Sequence, residues 1–199
     1  MIDVAAIPDL HETTVARWHE REIDNPYEGF LRLVCDQHQQ NFRLWHQEDI
    51  ARSPTVSDAE MAGVKRAIDK LNQHRNDLIE RLDDFLLAEL AAARIEPQAD
   101  ARLNTETPGS AIDRLSILAL RLYHMAEQAA RSNATAEHVA KANARLMILR
   151  EQRRDLSNSL AELLTDIFAG RKRLKVYRQF KMYNDPTMNP YLYAAGKRA

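Results

Sequence analysis

Within Asn41–Asp49, which reads Asn-Phe-Arg-Leu-Trp-His-Gln-Glu-Asp, an imidazole, two carboxylates, an amide and an indole fall inside a few helical turns. His46 and Asp49 are three residues apart and share one helix face, while His38, Asn41, Trp45 and Glu48 share another. A His–carboxylate pair is the minimum kit for general acid–base chemistry, which makes His46, Glu48 and Asp49 the candidate catalytic residues. The competing reading is a hydrogen-bonded pair that serves only the helix. His46 could also begin a metal site with His38, His74 or His124. Di-iron helical bundles, however, need Glu-x-x-His on two helices, and the chain contains no such spacing. No metal ligand set and no cofactor are therefore assigned.

More charge falls where apolar residues are expected. Glu48, Arg75 and Arg153 interrupt apolar stripes, Asn72 and Asn76 flank Arg75, and Asp113 opens a further helix beside its stripe. Buried charges must be paired, hydrogen-bonded or solvated by a cavity. They form either a network that fixes helix register or the lining of a polar pocket for an anionic or hydroxyl-rich ligand. A third group is the tail, where Lys175, Arg178 and Lys181 are interleaved with Val176, Tyr177, Phe180 and Tyr183. The ligand-binding set expected on these grounds is Asn72, Arg75, Asn76, Asp113, Arg114, Arg153, Lys175, Arg178 and Lys181. The ligand class is a small phosphorylated or sugar-like anion.

The elements that must carry these residues are helical. Asp9 is a candidate cap for a short helix reaching Arg21, and Asn25-Pro26 reads as the start of a long helix ended by Ser53-Pro54. Ser57 or Asp58, with Glu60 or Met61 following, opens a second long run toward Arg94, carrying Met61, Val64, Ile68, Leu71, Leu78, Leu82, Phe85 and Leu86 at helical spacing. Residues 95–107 form a connection across one end. Glu106-Thr107-Pro108-Gly109-Ser110 then starts a strongly patterned helix toward Ser132, with Thr107 or Ser110 as its cap and Asp113 in its first turns. Its unpaired N–H groups and Asp113 mark it as one wall of a polar site. Thr135 caps the last long helix, and Gly170 ends it. The fold expected is all-α: an antiparallel four-helix bundle over 26–170 within one domain of 1–199. Residues 1–25 add a short lead-in helix, and 171–199 an ordered, irregular basic-aromatic tail packed on the bundle.

Composition limits the partners. The 199 residues carry a formal net charge of −1, but residues 171–199 hold eight Lys/Arg against the single Asp185. That balance argues against a general nucleic-acid binder and leaves room for a local anion site. Cys35 is alone, which reads as a reduced thiol. Met1-Ile2-Asp3 opens no signal-peptide pattern, and no apolar run is of membrane-spanning length, so a cytoplasmic location is expected. Two long helices leave apolar surface that a homodimer would cover, so a non-enzymatic dimeric scaffold is the alternative to a ligand-binding pocket. A metal-dependent hydrolase using the histidines is the third possibility.

Four segments resemble a bacterial family known as domain of unknown function 4254: Asn41–Asp49, Leu71–Asp77, Glu106–Leu118 and Val176–Pro186. The resemblance implies a helical bundle and supplies no catalytic residue to carry over. Family members look to be associated with genes for surface polysaccharide or glycosyl transfer, which hints at a pathway.

Overall fold

Local signals set most of the helix boundaries. The computed structural model describes residues 2–180, 182 and 185–195. Ser57 and Glu60 form a complete capping box: Ser57 Oγ accepts from Glu60 N, and the Glu60 carboxylate accepts from Ser57 N at 3.0 Å. Thr107 caps α4 (Pro108–Ala129) with Pro108 in its first turn, and Thr135 caps α5 (Ala136–Phe168). Helix α3 (Asp58–Ala92) and α5 both end in Schellman turns. In one, Ile95 N reaches Leu90 O and Arg94 N reaches Ala91 O; in the other, Arg171 N reaches Asp166 O and Gly170 N reaches Ile167 O. Gly170 suits its φ of +72°, whereas Arg94 holds the equivalent position at +53° against the usual preference.

Two expected starts differ. Helix α1 spans Ala6–Glu20, so Asp9 lies within its first turn and caps nothing; Asp3 accepts from Ala6 N instead. Helix α2 (Gly29–Ala51) begins after Pro26: Asn25 Oδ1 accepts from Tyr27 N at 3.2 Å in a local turn, its amide donates to Asp36 Oδ1 at 2.6 Å and to the Arg32 carbonyl at 2.9 Å, and the chain is still extended at Glu28.

The structure is all-α, with almost no strand. Helix α4 is the shared partner: α1, α2, α3 and α5 all pack on it, while α2 also pairs with α3 and α1 with α2. The main core gathers Trp18 of α1, Val34 and Phe42 of α2, Leu82 and Leu86 of α3, Ile112 and Leu115 of α4, and Leu160 and Leu164 of α5. Burying such side chains stabilises by about 1.5–3 kcal/mol each. Leu44, Val64 and Ile68 make a smaller cluster where α2 and α3 meet.

The 95–107 connection does more than cross an end. Gln98 N donates to Gly170 O at 2.9 Å, and β1 (Arg102–Leu103) then pairs in parallel with β2 (Lys172–Arg173). Beyond β2 the tail is held to α3 by Arg178 and includes the short helix α6 (Pro190–Ala195).

Candidate functional site

A polar seam runs through the interior where α2, α3 and α4 meet. Asp113 Oδ1 receives Gln37 Nε2 at 2.6 Å and Asn41 Nδ2 at 2.9 Å, with Arg75 Nε at 3.2 Å. Asn41 Nδ2 also donates to Ser116 Oγ at 2.8 Å, and His38 Nδ1 lies 2.6 Å from the same hydroxyl. Burial raises the Asp113 carboxyl above its ordinary range, while the guanidinium and the two amides pull it back. Burial also drives His38 down to about 3, so its imidazole is neutral and serves the seam. Asp113 therefore points into the interior, and the start of α4 is served by a different carboxylate. Gly109 N donates to Asp83 Oδ1 of α3 at 2.7 Å. A Cβ at Gly109 would meet Ile79 O at 2.6 Å, so the close approach of α3 to α4 requires glycine there. The helix start expected to wall the ligand site thus already holds an anion of the protein itself.

The seam opens into a cleft of about 390 Å³ lined by Asn41, Trp45, Glu48, Asp49, Asn72 and Arg75, among others. Glu48 is half exposed and paired with Arg52 at 2.6 Å, one turn along its own helix. The structure thus gathers Glu48, Asp49, Asn72 and Arg75 from the expected set, with Asp113 directly behind Arg75. Asn76 does not line the cleft.

The other expected ligands are placed elsewhere. Arg114 pairs with Glu106 at 3.1 Å and faces a groove between α4 and α5. Arg153 pairs with Glu12 of α1. Lys175 lies 5.0 Å from the Tyr177 ring centre. Arg178 makes a two-pronged contact with Asp84 at 2.7 and 3.0 Å and also reaches Glu80. Those carboxylates raise its already high pKa and occupy its donors. Lys181 lies outside the described residues.

His46 does not join Asp49 in a hydrogen bond. Its ring instead faces His19 of α1 at 5.2 Å and His124 of α4 at 6.0 Å, centre to centre. Burial lowers the His46 pKa, and the two neighbouring imidazoles add to the effect. His19 stacks on Tyr123 at 4.1 Å, and His124 stacks on Trp45 at 4.7 Å. His74 is exposed, so of the histidines considered with His46 only His124 is beside it. Sequence reasoning missed His19 and Asp83. Each had a signal: His19 follows Val15 and Trp18 on the buried side of α1, and Asp83 sits one turn from Ile79 on the buried side of α3.

The fold and the cleft define a class: an α-helical protein centred on one helix, with a polar, charge-balanced interior opening to the surface. The sequence profile described as protein of unknown function (DUF4254) matches residues 31–176, and the chain belongs to that family. The match covers α2 through β2 and leaves out α1 and most of the tail. No curated protein and no solved structure matches the chain. Among the described residues, no helix is long and apolar enough to cross a membrane.

Proposed function

We propose that the cleft between α2, α3 and α4 binds a small hydroxyl-rich, sugar-like ligand. The observation that carries this reading is the convergence of Asn41, Glu48, Asp49, Asn72 and Arg75 from two helices around the indole of Trp45. Carboxylates accept from hydroxyls, guanidinium donates to them, and amides do both; an indole offers an apolar platform to a sugar's C–H face. A strongly anionic ligand fits less well than expected. The two cleft guanidiniums already face carboxylates, Arg52 with Glu48 and Arg75 with Asp113, and the basic tail is engaged on α3. A link to surface-polysaccharide metabolism, hinted at by the family resemblance, is compatible with such a ligand.

The test is a panel of monosaccharides, sugar phosphates and nucleotide sugars screened by saturation-transfer NMR, with hits measured by calorimetry. Asp49→Asn and Asn72→Ala should each weaken a hit at least tenfold, a loss of about 1.4 kcal/mol, while Arg178→Ala leaves it unchanged. Equal affinity in both cleft variants would overturn the site, and no hit across the panel would overturn the ligand class. A second reading, a homodimeric scaffold, is favoured by Met147 and Ile148 on α5, 70 % and 55 % exposed. Light scattering that gives a monomer at tens of micromolar would dismiss it.

A further inference from the structure

The histidine cluster beside the cleft has the features of a metal site. His19, His46 and His124 each offer a nitrogen, and these atoms lie within 4.8 Å of one another. They come from three helices, α1, α2 and α4. Two of the rings have their tautomer fixed from behind. His19 Nδ1 lies 2.7 Å from the Val15 carbonyl, and His124 Nδ1 lies 2.8 Å from Glu127 Oε2. A carbonyl and a carboxylate only accept, so in the neutral ring each Nδ1 carries the proton and each Nε2 presents a lone pair. Both Nε2 atoms are buried without a hydrogen-bond partner. A carbonyl or carboxylate behind one nitrogen, with the other left bare, is the arrangement that orients histidine ligands toward an ion.

The surroundings hold the rings in place. Tyr123 stacks on His19 with the planes 14° apart, and Trp45 stacks on His124 with the planes 10° apart. Three imidazoles around Zn²⁺ at ~2.1 Å would bring the nitrogens to about 3.4 Å from one another. Small side-chain rotations close that gap from the present spacing. Imidazole donors select ions of the zinc class over calcium or magnesium.

We propose that His19, His46 and His124 bind one divalent transition-metal ion, zinc being the best match, with Glu127 orienting His124. Three protein ligands leave a fourth position for water or a ligand atom. The inference is independent of the sugar reading, although Trp45 belongs to both places: it lines the cleft and stacks on a proposed ligand.

The test uses the full chain, stripped with chelator and titrated with Zn²⁺ alone by calorimetry against a competing chelator. One zinc per chain and a raised Tm are expected, and Co²⁺ should give the intense visible bands of a tetrahedral site. His46→Gln and His124→Gln should each lose at least a hundredfold in affinity, Glu127→Gln about tenfold, and His74→Gln nothing. Glu127→Gln retains an oxygen for His124 Nδ1–H, so it reports on the metal even if a histidine variant folds poorly. No stoichiometric uptake by the unmodified chain would overturn the proposal, as would unaltered zinc affinity in both His46→Gln and Glu127→Gln.

Discussion

Asp83→Asn isolates the cost of the carboxylate buried between α3 and α4. Asp83 is only 2 % exposed and accepts from Gly109 N, and asparagine can accept the same bond through its own oxygen. Burial pushes the Asp83 carboxyl from 3.8 to about 6, while the Thr107 hydroxyl and the Gly109 N–H pull the other way. A carboxyl whose pKa is raised on folding keeps its proton longer in the folded chain than in the unfolded one. Below about pH 4 both states are protonated and the residue contributes its full stability. Between pH 4 and pH 6 the unfolded chain has released the proton and the folded chain has not, so stability falls as pH rises. A shift of about two units corresponds to about 3 kcal/mol. That is a ceiling, because the positive end of α4 favours the carboxylate. Asparagine has no proton to lose. Urea denaturation of both proteins in half-unit steps from pH 4 to pH 7.5, at fixed ionic strength, measures the difference directly. The advantage of Asp83→Asn over the unmodified protein should grow by about 1–3 kcal/mol and level off above pH 6.5. A flat difference, or one that shrinks with rising pH, would refute the account.

Two further changes test other parts of the structure. Arg94→Gly should stabilise by about 0.5–1 kcal/mol by relieving a left-handed arginine, whereas Gly170→Ala should cost about 2–3 kcal/mol. The second site pairs a positive φ with a Cβ that would lie 2.8 Å from Glu96 O, and thermal denaturation of both variants checks the opposite signs. Asn41→Ala removes a donor from Asp113 and from Ser116 at once and should cost about 2–3 kcal/mol in urea denaturation.

What could be read from the chain divides by the range of the interaction. Ser57 with Glu60, Thr107 with Pro108, Thr135 and Gly170 act within a turn or two, and they end helices where expected. Asn25 does accept from Tyr27 N as a cap would, but its amide is held by Asp36, eleven residues on, and the helix starts only at Gly29. At the site, the polar second half of α2 and the asparagine–arginine interruption of α3 pointed to Glu48, Asp49, Asn72 and Arg75, because both stripes face the same seam. Arg114, Arg153 and Arg178 carried the same charge and looked equally available. Their partners, Glu106, Glu12 and the Glu80–Asp84 pair, depend on which segment lies alongside, and periodicity within one helix does not encode that. His19 was hidden likewise, since only the docking of α1 on α4 brings it to His124.

The junction of Gln98, Gly170 and the two short strands has a topological effect. It ties the chain on either side of the α4–α5 hairpin, at positions 71 residues apart, so that the hairpin closes on itself as a ring. A backbone nick in the exposed turn near Asn133 would open that ring without freeing either arm. The α4 arm would stay anchored by the other helices, and the α5 arm by its packing on α4 and by the clasp. The same geometry makes that turn a place where new termini in a circular permutation would leave the junction intact.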